Sequence, residues 1–281
     1  MPIIFRGDDK FAYRDPSCYY FGGLYHLFFT VSEKDGGYMY NRVGHSVSED
    51  LLHFSEPRLI TEKDRSKNYC SPGNVIPFGD GFLICVTSYP MPRPFAECPV
   101  ADDTARLFFI STRDFSEFSA PERIYPKGRE CADEGRMIDP FVFYDGKEYR
   151  LYFKQNGVSC SRSKDLSSWE YLGATGGGEN ACVIKDGGRY LLIHSPENGI
   201  GIKESEDLET WRDVGTYTLG QDGWDFASGR LTAAFAMPLA HDFGHKYAVL
   251  FHGSRADAFP ETHGNASLAL AFTDDFKEYR F

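Results

Sequence analysis

A chain of 281 residues with 42% apolar content can bury a sizeable core, and a single all-β domain over residues 1–281 is the expectation. Its 41 acidic and 30 basic residues give a formal charge of −11, which argues against nucleic acid or an anionic membrane as partner, since both reward a basic surface. No stretch reaches the roughly 18 apolar residues of a membrane span, and the opening MPIIFRGDDK lacks the basic-then-apolar layout of a signal peptide, so the expected location is cytoplasmic.

Along the chain, 24 Phe, 17 Tyr and 28 Gly fit many short strands joined by tight turns. Pro2–Arg6 is a β-like segment standing ahead of the first repeat unit. Each unit then opens with a short polar signature and an apolar run. These are Arg14-Asp15-Pro16 before CYYF, Ser71-Pro72 before GNVIPF, Ile138-Asp139-Pro140 before FVFY, Gly178-Glu179-Asn180 before ACVI, and Leu231-Thr232-Ala233 before AFAM. They read as innermost strands. A Gly-containing turn leads into a second strand in FGGLYHLFFT, FGDGFLICV, YDGKEYRLYF, KDGGRYLLIH and DFGHKYAVLFH.

A third strand ends at the pattern Ser/Thr-x-Asp-Leu/Phe-x-x-aromatic, found at Ser48–Phe54, Thr112–Phe118, Ser163–Trp169, Ser205–Trp211 and Thr273–Tyr279. The hydroxyl and the Asp suit a tight turn because they bond nearby backbone amides, and the closing aromatic can pack on the neighbouring unit. A spacing of roughly 40 to 70 residues matches four short strands with loops, so the expected fold is a five-bladed β-propeller with blades of four antiparallel strands. The fourth strand should follow each turn, as PRLI follows Phe54. Only Arg280 and Phe281 follow Tyr279, so Pro2–Arg6 is expected to supply the missing outer strand and cover an open sheet edge. The long connection from Pro90 to Ala105 reads as a loop over one face, covering a site.

Cys18, Cys70, Cys85, Cys98, Cys131, Cys160 and Cys182 are odd in number and lack C-x-x-C spacing. Neither a disulfide framework nor a zinc site is signalled, and buried free thiols are expected.

Aligning the blade openings puts Asp15, Ser71, Asp139, Glu179 and Thr232 at equivalent places near the end of the central channel. Singly, Asp-Pro and Glu-Asn read as turn starters. Three acids brought to one pocket repel, which pushes their pKa values apart and lets similar groups take opposite roles. Cleavage of a glycosidic bond needs that division. One acid is protonated to assist the leaving oxygen, another is ionised to activate water or attack the anomeric carbon, and a third tunes the acid.

At these residues the chain resembles the five-bladed propeller glycosidases, above all glycoside hydrolase family 43, with family 32 as a relative. The resemblance spans nearly the whole chain and rests on RDPSCYYFGGLYHLFF, MIDPFVFYDGKEYRLYF and GENACVIKDGGRYLLIHS. It implies Asp15 as general base, Asp139 as pKa modulator and Glu179 as general acid, acting by inversion on a small oligosaccharide or glycoside of arabinose, xylose or galactose type. The family 32 features would instead imply retention, with Asp15 as nucleophile. Cys70-Ser71-Pro72 stands where family members often carry Trp-Ala-Pro, and Phe251-His252-Gly253 matches a blade-five His near a water or calcium ion on the channel axis.

No cofactor is expected to be required, and no metal ligand is assigned. Trp224-Asp225-Phe226-Ala227 is similar to the D-F-Y-A motif of family 32, while Glu179-Asn180-Ala181 departs from the usual Glu-Gly-Pro or Glu-Cys-Pro. Arg14, Ser71, Trp224, Phe226 and His252 are the expected substrate contacts. For Arg14 and Arg136, pairing with the acids is the plainer role. Two rivals are a propeller phosphorylase, which needs basic side chains near Glu179 or Asp139, and a non-catalytic sugar-binding propeller.

Overall fold

Residues 3–94, 96, 103–239, 243–258 and 264–281 are described by a computed structural model of the chain. Within them the apolar runs and Gly-containing turns fold into five antiparallel sheets. Blade one comprises β2 (Phe11–Phe21), β3 (Leu24–Asp35), β4 (Tyr38–Ser48) and β5 (Arg58–Leu59), and blade two β6 (Tyr69–Phe78), β7 (Gly81–Ser88), β8 (Arg106–Thr112) and β9 (Glu122–Arg123). Blade three comprises β10 (Ile138–Tyr144), β11 (Tyr149–Lys154), β12 (Val158–Ser163) and β13 (Glu170–Ala174). Blade four comprises β14 (Glu179–Asp186), β15 (Arg189–Ser195), β16 (Ile200–Ser205) and β17 (Arg212–Tyr217). Blade five is built from β18 (Arg230–Pro238), β19 (Tyr247–Ser254) and β20 (Ser267–Thr273), with β1 (Ile3–Phe5) and β21 (Tyr279–Arg280) added on β20. Each innermost strand touches the next and β18 touches β2, which closes the ring. No α-helix occurs among the described residues.

The repeated turn works as its residue types require. Thr112, Ser163, Ser205 and Thr273 accept the N–H of Phe115, Leu166, Leu208 and Phe276, each at 2.9 Å. The Asp two residues on caps the next amides, as Asp50 Oδ1 does for Leu52 and His53. These bonds hold Leu51, Phe115, Leu166, Leu208 and Phe276 at φ of 61 to 66°. Left-handed backbone costs such residues about 1–2 kcal/mol. All five side chains are buried, and burial returns roughly 1.5–3 kcal/mol apiece. Between blades one and two, Phe115 stacks on Phe82 at 4.7 Å and packs beside Phe28 and His45.

The outer strand of blade five is split. Ile3 and Phe5 lie against Ala269 and Leu268, while Tyr279 and Arg280 lie against Thr273 and Phe272. The N-terminal segment thus supplies the outer strand as expected, except that two C-terminal residues complete it; Pro2 lies outside the described residues. Phe5 seals the joint against Phe29 and Tyr13, with ring centroids 5.1 and 5.4 Å apart. Six cysteines are free, five of them buried. Cys98 and part of the loop from Pro90 to Ala105 lie outside the described residues.

Candidate active site

All five innermost strands are bulged at the same level. The ladder register slips just after Arg14, Cys70, Ile138, Glu179 and Thr232. The residues that follow, Asp15, Ser71, Asp139, Asn180 and Ala233, have φ between 46 and 54°. This corrects the alignment drawn from sequence. Asp15, Ser71 and Asp139 are equivalent, but their counterparts in blades four and five are Asn180 and Ala233. Glu179 and Thr232 stand one residue earlier, level with Arg14 and Ile138. At this crowded end Gly73 is obligatory, because a Cβ there would stand 1.3 Å from the Pro140 carbonyl oxygen.

The bulges are tied to the preceding blades. Opposite the residue before each bulge lies the same position of the second strand: Thr30, Thr87, Lys154, Ser195 and His252. Ser71 N–H donates to Thr30 Oγ1 at 2.7 Å, Asp139 N–H to Thr87 Oγ1 at 2.9 Å, and Ala233 N–H to Ser195 Oγ at 2.7 Å. Asp15 N–H donates to His252 Nδ1 at 3.1 Å. An accepting Nδ1 fixes the neutral His252 as the Nε2–H tautomer. His252 is therefore the fifth blade's version of a joint residue, and it lines the pocket beside Asp15.

These ties bring Asp15, Asp139 and Glu179 into one pocket, with Arg14, Ser71, Tyr89, Arg136, Arg230, Thr232 and His252 also in its wall. Asp15 Oδ2 accepts from Thr30 Oγ1 at 2.8 Å and from Ser71 Oγ at 3.3 Å, which fixes the plane of the carboxylate. Arg14 donates to Ser32, and burial pushes its pKa down, but Asp15 and Tyr89 outweigh that and hold the guanidinium charged. Glu179 Oε2 accepts from Lys154 Nζ at 2.5 Å and its Oε1 from Arg230 at 2.8 Å. Gly178 lets this strand end approach, since a Cβ there would meet the Ser195 carbonyl at 1.6 Å.

The proton distribution follows from these partners. Burial pushes Asp139 up, and the negative charges of Glu179 and Asp15 push it further, to about 7, against a Ser71 hydrogen bond and Lys154. Burial also pushes Glu179 up, but Lys154 and Arg230 overcome it and bring the carboxyl down to about 2. In the free site the available proton therefore sits on Asp139, with Glu179 ionised. Two such close carboxyls titrate as a unit.

Arg14, Ser71 and His252 share this pocket with the acids, while Trp224 and Phe226 are not in its wall. They belong to a 3₁₀ stretch between blades four and five, where Trp224 stacks on Phe226 at 5.7 Å and Phe226 is buried beside Gly253. No cluster of three or more His, Cys, Asp or Glu able to hold a metal occurs among the described residues. Sequence reading missed Lys154, Arg230 and Tyr89. Lys154 and Arg230 reach Glu179 from other blades, so no local motif signals them.

A five-bladed propeller with three carboxylates gathered at one end of its ring has the architecture of the propeller glycoside hydrolases. The model of the glycosyl hydrolases family 32 N-terminal domain matches residues 13–188. The chain belongs to that family. The expectation that placed family 43 ahead of family 32 is reversed by this match. No curated protein matches the sequence.

Solved structures of both families share the fold. They include the Bombyx mori GH32 beta-fructofuranosidase BmSUC1 at 16% identity and TM-score 0.67, over 97% of this chain and 62% of that one. This chain thus spans less than two thirds of that relative. A GH43_1 enzyme from Xanthomonas citri complexed with xylotriose matches at 12% identity and TM-score 0.67, over 99% and 93%. An exo-beta-1,3-galactanase from Clostridium thermocellum, 1,3Gal43A, matches at 17% identity and TM-score 0.68, over 97% and 63%.

Proposed function

We propose that the chain is a retaining glycosidase in which Asp15 is the nucleophile and the Asp139–Glu179 pair supplies the proton. The carrying observation is that an oriented, hydrogen-bonded carboxylate shares one pocket with two further carboxyls, one of them paired with Lys154 and Arg230. Asp15 attacks the anomeric carbon, the bond to the leaving oxygen breaks, and that oxygen takes the pair's proton. Water then attacks the glycosyl–Asp15 ester, releasing the sugar and returning one proton to the pair. Membership of family 32 favours this double displacement over the inverting reading.

The substrate we propose is a small glycoside with a terminal fructofuranosyl unit, supported by the name of the silkworm relative. Arabinosides, xylosides and galactosides are the family 43 alternatives. No cofactor is needed for these steps. A reducing, cytoplasmic setting is our reading of the free thiols; two or more disulfides found by thiol titration of the denatured, unreduced protein would overturn it.

Lys154 and Arg230 favour a second reading, phosphorolysis, because they are basic groups at Glu179 where a phosphate could be held. One experiment addresses both. Sucrose and aryl arabinosides, xylosides and galactosides are incubated with and without phosphate, and the first-formed anomer is followed by NMR. Retention without phosphate dependence is expected. An inverted first product rejects the nucleophile assignment, and turnover only with phosphate favours phosphorolysis.

A further inference from the structure

We propose that the substrate of this site is an acidic sugar, whose carboxylate or phosphate oxygens are bound by Arg136 with Thr232 donating a hydroxyl hydrogen bond. The inference rests on the glycosidase reading and adds the substrate class. Arg14 sits beside Asp15, and Lys154 and Arg230 hold Glu179. Arg136 differs from them: it lines the same pocket, yet among the described residues it makes no ion pair or hydrogen bond.

Its Nε is buried without a partner, and so is the hydroxyl of Thr232, a residue only 2% exposed. Buried donors left without acceptors are costly, and ligand oxygens reaching both would relieve the cost. Charge points the same way. Four cations, Arg14, Arg136, Lys154 and Arg230, surround the carboxylates Asp15 and Glu179, while Asp139 keeps its proton up to about pH 7. Among the described residues the pocket is positive, on a chain of formal charge −11. A neutral sugar leaves that excess unmatched, whereas the planar guanidinium fork fits carboxylate or phosphate oxygens.

Calorimetric titration of the full chain with matched pairs tests this: galactose against galacturonate, glucose against glucose 6-phosphate, and inorganic phosphate alone. At least one acid should bind roughly tenfold or more tightly than its neutral twin, and the arm that does so identifies the oxyanion. Arg136→Met should erase the preference and Arg136→Lys retain part of it, with unchanged circular dichroism. Equal binding of the twins overturns the inference, as does a preference that survives Arg136→Met. Inorganic phosphate binding as tightly as either acid also overturns it, in favour of phosphate as co-substrate. Aryl glycoside turnover separates this inference from the reading beneath it. Acid preference without cleavage of any glycoside sinks the glycosidase and keeps the oxyanion site, while cleavage without acid preference does the opposite.

Discussion

At four of the five joints between blades, Thr30, Thr87, Ser195 or His252 accepts a backbone N–H from the next blade, whereas at the joint between blades three and four the same register position holds Lys154. An ammonium group has no acceptor. Lys154 instead reaches Glu179 and, with Arg230, sets its ionisation. The fold needs only most of its joints to be alike, and the one that departs is where the chemistry of the acids is tuned. Even the regular joints serve the site, since the Thr30 hydroxyl both ties Ser71 and orients Asp15.

The largest effect is expected at Asp15, the proposed nucleophile. Asp15→Asn should lower turnover roughly a thousandfold or more on every leaving group, with folding intact because the His252 tie uses the backbone N–H; a steady-state assay that finds wild-type rates removes Asp15 from the mechanism. Thr30→Val leaves the Ser71 N–H without its acceptor, so chemical denaturation should register a loss of about 1–3 kcal/mol together with reduced turnover. Lost stability with full activity would mean that Thr30 serves the fold alone.

Lys154→Thr makes the odd joint like the others. Glu179 loses one of its cations, the doubly ionised acid pair becomes less favourable, and the alkaline limb of the kcat/KM profile should move up by about one pH unit. An unmoved limb would show that Lys154 does not set the pair's proton affinity. The smallest effect at neutral pH belongs to a region remote from the acids. His26 Nδ1 lies 3.0 Å from His45 Nε2, and burial lowers both pKa values, that of His45 to about 3 with help from the charges of His26 and Arg58. The unfolded chain takes up these protons near pH 6.5. Stability from the neutral pair is therefore full above that pH and is lost as pH falls from 6.5 toward 3. Melting temperatures for His45→Phe should fall less over this range than those of the parent; parallel curves would rule the pair out as the cause.

The blades were legible because the turn that ends each third strand is local chemistry, in which a hydroxyl and a carboxylate cap amides within six residues of one another. The acids were legible as a group because three signatures lie at the starts of inner strands. Their exact levels were not, since a bulge shifts which residue faces the axis, and Glu179 reaches the pocket from the position before the bulge rather than on it. Arg230 and Lys154 were hidden for another reason. Their roles depend on pairing across blades, and nothing in RLTAAF or YRLYFK announces a partner in another sheet. Trp224 and Phe226 lie outside the pocket wall for a physical reason: an aromatic beside an acid reads as a sugar platform, while here the two rings stack on each other and Trp224 stacks on Phe251 of blade five.

The split outer strand of blade five also bears on how the chain reaches its native state. Gly7 N–H bonds Ser267 Oγ across 260 residues, beside the pairing of Ile3 with Ala269. Contacts of that separation form only after a large loss of chain entropy, so the ring is sealed late, once blade five exists. Until then β20 presents a bare edge and the rings around Phe5 lack their cover. The time spent in that open state, more than the strength of any one blade, sets how exposed the chain is to misassembly with its own kind.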